Sequence, residues 1–156
     1  MKNTFKRSGA ALISLLLVLA VSAGAASSQN VGVKFWKERS DKESMANSGI
    51  DPDRTATLTR QANGTYTLTL PVTQVSKLGV TGYLSGLTIG DVTYDGTLTG
   101  DFNKATAVLT IKNLPASVLT GSDVNKSVLV TCNIQMDLQV LGEINTSARM
   151  CIWNQK

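Results

Sequence analysis

Histidine is absent from this 156-residue chain, and its only two cysteines are Cys132 and Cys151. Histidine is the commonest general base and metal ligand, so its absence excludes the Ser-His-Asp and Cys-His arrangements of nucleophilic enzymes. The acidic residues Glu38, Asp41 and Glu43 alternate with basic residues. That alternation is typical of a solvated loop and not of the paired acids of a glycosidase. The sequence therefore predicts a protein that is not an enzyme.

The amino-terminal segment has the pattern of a cleaved export signal. Three basic residues precede an apolar run over Gly9–Val21, and Ala23-Gly24-Ala25 supplies the small residues that a signal peptidase requires. The run of about 13 residues is too short for a bilayer core, which needs about 20. We therefore predict that residues 1–25 are a signal peptide cleaved before Ala26. The mature protein is expected in the cell envelope or secreted, without a membrane span.

The basic excess of the chain belongs mostly to this leader. The full sequence has 15 Lys and Arg residues against 11 Asp and Glu residues. The leader holds three of the basic residues and no acidic one, which leaves 12 basic and 11 acidic residues. Nucleic-acid binding needs a clustered basic footprint. This nearly neutral composition does not favour a nucleic-acid partner.

Short runs of alternating apolar and polar residues predict an all-β domain over residues 31–156. The clearest pair is Ala56–Arg60 and Thr65–Val72, separated by Asn63-Gly64, a dipeptide that tolerates the positive φ of a hairpin turn. The polar segment Lys37–Gly49 predicts a loop with a short helical turn. About eight short strands are typical of a β-sandwich or a small β-barrel. The remaining predicted strands are Val31–Trp36, Thr81–Ile89, Val92–Leu98, Thr106–Ile111, Ser127–Met136 and Ser147–Trp153.

Three aspartates near predicted turns raise the question of a calcium site. Asp91, Asp95 and Asp101 offer carboxylate oxygens, which are the ligands that calcium prefers. Their spacing matches no EF-hand loop. Aspartate is also common in turns because its side chain bonds to its own backbone. The turn role is therefore the favoured interpretation.

The two cysteines fall in the last two predicted strands. If Met136 lies opposite Ser147 in an antiparallel hairpin, Cys132 and Cys151 lie directly across from each other. An exported protein can oxidise such a pair to a disulfide. The alternative is two buried free thiols that pack as small apolar side chains. With the register assumed, we predict the disulfide.

Several segments together resemble the NEAT (near-iron transporter) domain family. They are VKFWKERSDKESMANSGI, ATLTRQANGTYTLTLPV and LGVTGYLSGLTI, followed by ATAVLTIKNL, VLVTCNIQM and SARMCIW. The resemblance covers nearly the whole chain after the leader. It implies an immunoglobulin-like β-sandwich of about eight strands, with a short helical turn after the first strand. It also implies a position on the cell surface or outside the cell.

The resemblance implies a binding site as well. Many NEAT domains bind haem, and some bind haemoproteins, between the short helix and the last hairpin. Matched residue by residue, Ser44 is implied to contact a haem propionate, and Met45 is implied to cover the distal face. The expected partners are therefore haem or another porphyrin, or a protein, in iron acquisition.

The chain departs from that family at the iron ligand. Haem-binding NEAT domains carry a Tyr-x-x-x-Tyr motif at the start of the last strand, where this chain has Glu143–Ser147 (EINTS). Its tyrosines lie elsewhere, at Tyr66, Tyr83 and Tyr94. We therefore expect weak haem binding or none, without a tyrosine bond to iron. The alternatives are a calycin-like β-barrel that binds a lipophilic ligand, and a protein-interaction module.

Overall fold

The computed structural model of the chain describes residues 26–77, 79–137 and 142–156. The predicted signal peptide, residues 1–25, lies outside the described residues. Regular structure in the described parts consists of β-strands and short 3-10 turns, which confirms the all-β prediction. In these parts of the chain, no helix is long and apolar enough to cross a membrane.

All eight predicted strands are present, and a short ninth strand, β4, was not predicted. A 3-10 turn, η1 (Met45–Gly49), lies where the short helical turn was expected. The strands are β1 (Ser27–Lys37), β2 (Ala56–Arg60), β3 (Tyr66–Pro71), β4 (Val75–Lys77), β5 (Val80–Ile89), β6 (Val92–Thr99), β7 (Val108–Leu114), β8 (Val128–Met136) and β9 (Glu143–Asn154).

Eight of these strands close into an antiparallel barrel. Neighbours are hydrogen-bonded in the order β5-β6-β7-β3-β2-β1-β9-β8, and β8 pairs again with β5. The β5–β8 ladder runs from the pair Gly82 and Met136 to the pair Thr88 and Thr131. The predicted sandwich is therefore corrected to a closed barrel, because this ladder joins the two edges that would otherwise stay open. β4 adds to β5 outside the ring.

The barrel interior is filled with apolar side chains. Successive residues of a strand point to opposite faces, so Leu68 and Leu70 of β3 are fully buried while Thr69 between them is not. The calycin-like alternative requires an interior that encloses a ligand, and this interior holds packed side chains instead. The largest fully buried side chains are Phe35, Leu58, Leu68, Leu70, Leu84, Leu87, Leu109, Ile111, Leu114, Met150, Ile152 and Val31.

The predicted hairpin of β2 and β3 is confirmed. Arg60 pairs with Tyr66, and the loop between them is closed by the backbone hydrogen bond from Gln61 to Thr65. Gly64 has a φ of 83°, a conformation that glycine adopts at no steric cost. The Asn-Gly dipeptide therefore has the role in the turn that the sequence indicated.

The register of the last hairpin separates the two cysteines. β8 pairs with β9 so that Cys132 lies opposite Thr146, whereas the predicted pairing of Met136 with Ser147 requires Cys151 at that place. The difference is five residues, which is odd, so the two cysteines lie on opposite faces of the sheet. Both are buried free thiols. The predicted disulfide is therefore wrong in this register.

We expect two thiols that react slowly in the folded protein. Burial raises the pKa of the Cys132 thiol to about 12, so little reactive thiolate exists at neutral pH. Cys151 is buried too, and its Sγ lies 3.6 Å from the carbonyl oxygen of Asp123. A thiol-reactive disulfide reagent should count two thiols only after unfolding. Unfolded, unreduced protein without a free thiol would contradict this register.

Candidate functional site

The side chain of Asn47 holds the turn η1 against β1 by hydrogen bonds to the strand backbone, at a place where β1 has no neighbouring strand on that side in the described parts of the chain. β1 pairs with β2 over Ser27–Val31, which ends before Phe35. There, the backbone N–H of Phe35 donates to Oδ1 of Asn47 at 2.8 Å, and Nδ2 of Asn47 donates to the Phe35 carbonyl at 2.6 Å. The N–H of Ser44 donates to the same carbonyl at 2.9 Å. Asn47 thus satisfies both backbone groups of Phe35 and fixes η1.

We expect Asn47→Ala to lower the free energy of unfolding by about 1–3 kcal/mol, because it leaves the backbone N–H of Phe35 without a partner, while the Phe35 carbonyl keeps only its bond from Ser44. The matched control is Ser48→Ala in the same turn. The Ser48 hydroxyl donates to the Met45 carbonyl at the surface, so its loss should cost less than about 0.5 kcal/mol. Chemical denaturation measures both variants. Equal, small losses would show that Asn47 does not hold the turn.

The two residues implied by the family resemblance lie side by side at the start of η1. Ser44 caps the turn, since its Oγ accepts a hydrogen bond from the N–H of Ala46 at 3.3 Å, and it is 7% exposed. Met45 is 52% exposed. The structure therefore gives Ser44 a capping role, and its contact with a propionate stays a prediction.

The loop between β1 and η1 is anchored by Arg149 of β9. Its guanidinium donates to the carbonyls of Lys37 and Ser40, at 3.1 and 2.9 Å, and to Oδ1 of Asp41 at 2.7 Å. Glu43 forms a second ion pair, at 2.6 Å, with a lysine of β1. These acidic residues therefore pair with basic side chains, and Arg149 helps to place η1 over the end of the barrel.

One end of the barrel lies between η1 and the last hairpin. Ile134 of β8 lies opposite Ile144 of β9 and also opposite Leu84 of β5. η1 reaches the same end, because a Cβ on its residue Gly49 would lie 4.0 Å from the Cβ of Leu84. We call this end the mouth and define it by Met45, Leu84, Ile134 and Ile144.

The mouth carries two of the four strongly exposed large apolar side chains in the described parts of the chain. These two are Met45 and Ile144, which are 52% and 44% exposed. The others are Val92, beside the turn at the far end of β5, and Leu129, opposite Arg149 at the far end of β8. Exposed apolar side chains on two elements that reach the same end of a barrel are candidates for ligand or partner contacts, whereas single exposed residues are normal. The mouth is therefore the candidate binding site.

The stretch Glu143–Ser147, in which the resemblance implies a tyrosine motif, presents the apolar side chain of Ile144 to the inward face of β9. Alternation along β9 places Ile144 and Thr146 on the same face as the buried residues Ala148 and Met150. Ile144 is thus an inward-facing residue at the open end of the strand. Alternation alone would have identified it from the sequence, where it was not singled out.

The tyrosines of the chain lie away from the mouth. Tyr83 is next to Leu84 on β5 and therefore points to the other face, where its ring centroid lies 5.5 Å from that of Phe102. Tyr66 and Tyr94 pack against the core from β3 and β6. The arrangement does not fit a haem whose iron is bound by a tyrosine.

The predicted turn role of Asp101 is confirmed. Its Oδ1 accepts a hydrogen bond from the N–H of Asn103 at 2.8 Å and so caps a short 3-10 turn. Within the described ranges, no group of three His, Cys, Asp or Glu residues is arranged to hold a metal ion.

A cleft of about 190 Å³ lies away from the mouth, between β1 and the loop that follows η1. Its polar wall is an ion pair in which Nε of Arg54 donates to Oδ2 of Asp51 at 2.8 Å. Arg54 also donates to the Ala107 carbonyl. The bond from Arg54, aided by one from the N–H of Asp53, lowers the pKa of Asp51 against the opposing effect of burial. The ion pair of Asp51 and Arg54, together with the bond to Ala107, holds the loop that follows η1 against the barrel.

Comparison with known proteins supports the fold. No protein-family model and no curated protein matches the chain. The structure is similar to the NEAT5 domain of IsdX2, a B. anthracis hemophore, in complex with heme, with a TM-score of 0.54. A point mutant of that domain, also in complex with heme, gives 0.53.

Each match has 11% sequence identity and covers 84% of this chain and 98% of the other. At that identity the likeness establishes the fold alone. The chain therefore has a NEAT-like fold, as the sequence resemblance implied.

Proposed function

We propose that this protein is an exported, non-catalytic binding domain that holds haem or a related porphyrin at the mouth, in the service of iron acquisition. Its fold is shared with a domain solved in complex with heme. The observation that carries the proposal is the pair of exposed apolar side chains, Met45 and Ile144, on the two elements that frame the mouth.

Apolar burial supplies the binding energy in this proposal. Both faces of a porphyrin are apolar, and burial stabilises by roughly 25 cal/mol for each Å² of apolar surface removed from water. Met45 covers one face from η1, and Ile134 and Ile144 contact the other from the hairpin. Ser44 accepts a hydrogen bond through its Oγ, so its hydroxyl hydrogen remains able to donate to a propionate.

The test is a titration of the wild-type protein with haemin, followed by absorbance and by quenching of tryptophan fluorescence. We expect saturable binding, weakened at least about tenfold (about 1.4 kcal/mol) in the double variant Met45→Ser/Ile144→Ser. The matched control is Val92→Ser/Leu129→Ser, which removes the two exposed apolar side chains that lie away from the mouth. Failure of wild type to bind, or an equal loss in both double variants, would overturn the proposal.

Export is tested separately by intact mass. We expect protein recovered from the culture medium or the cell envelope to begin at Ala26, because Ala23-Gly24-Ala25 fits the cleavage site of a signal peptidase. A mass that retains residues 1–25 would contradict the proposed processing.

A further inference from the structure

We infer that the mouth recognises a porphyrin by its apolar faces and not by its metal, so that metal-free and zinc porphyrins are ligands as good as haem. This inference rests on the proposed function and specifies its ligand class. It follows from the donor atoms that the mouth offers to a ferric ion.

The strongest donors are missing from the mouth, engaged elsewhere or directed away from it. The carboxylate of Glu143 alternates with Ile144 and so lies on the other face of β9. The carboxylate of Asp137 accepts hydrogen bonds from Gln74 and Thr81.

The chain has no histidine. Cys132 lies on the inward face opposite Thr146 but is fully buried, and its thiol stays protonated because burial raises its pKa to about 12. Metal ligation needs the thiolate. Tyr83 points to the other face of β5 and packs near Phe102.

The remaining donors are weak ligands of ferric iron. Met45 and Met136 offer thioethers, and a Cβ on Gly82 would lie 2.9 Å from Sδ of Met136, which places that sulfur against β5. Thioethers are soft ligands and favour soft ions. Thr146 offers a neutral hydroxyl. Exchanging the metal therefore changes no strong contact that this site can make.

What remains at the mouth is apolar area, which does not distinguish one porphyrin metal from another. Met45 and Ile144 are exposed, and Ile134 is half-buried between Leu84 and Ile144. Such side chains contact the ring faces and leave the centre of the ring without a partner. Porphyrins with the same flat apolar ring should therefore bind with similar affinity, whatever metal they hold.

The experiment compares haemin, zinc protoporphyrin and metal-free protoporphyrin, each titrated into the wild-type protein with tryptophan fluorescence as the common signal. We expect the three dissociation constants to agree within about threefold. Haemin binding more than about tenfold tighter than metal-free protoporphyrin would overturn the inference and leave the proposed function standing. Failure of all three to bind would overturn both.

Two variants of Met45 distinguish a bond from its sulfur atom to the metal from a contribution of its apolar volume. Met45→Leu keeps the apolar volume and removes the thioether, so it should bind all three porphyrins within about threefold of wild type. Met45→Ser removes the volume and should weaken all three alike. A loss of haemin binding alone in Met45→Leu would show that the sulfur binds iron and would overturn the inference. Unfolding curves that match wild type confirm that both variants are folded.

Discussion

Ile144→Tyr is expected to make the mouth selective for iron. The variant should bind haemin at least about tenfold more tightly than it binds metal-free protoporphyrin. The residue faces inward at the open end of β9 and is 44% exposed, so a larger ring is accommodated without displacing the buried core. A phenol there supplies the oxygen donor that the mouth lacks. Tenfold corresponds to about 1.4 kcal/mol, a modest amount for a new metal–ligand bond.

The control is Leu129→Tyr, which adds the same ring at an exposed position opposite Arg149. Its haemin and protoporphyrin affinities should match those of wild type. If Ile144→Tyr raises the affinities for haemin and for metal-free protoporphyrin equally, the new ring acts only through contact area. That result would contradict the placement of residue 144 facing the centre of the bound porphyrin.

Phe35→Ala is expected to lower the free energy of unfolding by about 3–5 kcal/mol. Phe35 is fully buried and lies opposite Met150 of β9 in the β1–β9 ladder. The free energy of unfolding of a small domain is about 5–15 kcal/mol, so the variant should keep only a small part of it. Urea unfolding followed by fluorescence measures the loss. Leu129→Ala, at a 57% exposed position, should change stability by less than about 0.5 kcal/mol. A cost below about 1 kcal/mol for Phe35→Ala would contradict the packing described.

Local sequence patterns predicted the strands because each pattern depends on neighbours in the chain. Alternation in Ala56–Arg60 and Thr65–Val72, with Gly64 between them, was sufficient for the first hairpin. The polar segment after β1 also indicated the short turn η1, and the family resemblance pointed to Ser44 and Met45 within it.

Barrel closure and register could not be predicted in this way, because they depend on distant pairings. β5 and β8 are separated by more than thirty residues, yet their ladder decides between a sandwich and a barrel. In the last hairpin, alternation fixes which residues share a face within one strand and leaves the pairing between strands open. The assumed pairing of Met136 with Ser147 therefore placed Cys151 on the wrong face relative to Cys132.

Asn47 and Arg149, which position the elements around the mouth, carried no sequence signal, whereas the inward-facing Ile144 did. Asn47 acts through two hydrogen bonds to the backbone of Phe35, twelve residues earlier, and an asparagine in a polar loop is unremarkable by itself. Arg149 lies in an apolar strand and reaches a loop more than a hundred residues away in the chain. Ile144 could have been found, since it lies four residues before the buried Ala148 and so shares its face.

Amide chemical-shift mapping with metal-free protoporphyrin tests most directly whether the mouth is the binding site. This ligand carries no paramagnetic iron, so shifts report contact and local rearrangement alone. We predict shifts concentrated in Met45–Gly49, Ile134–Met136 and Glu143–Ser147, the segments that surround the mouth. Shifts centred on Asp51 and Arg54, which form the polar wall of the cleft beside β1, would contradict the account.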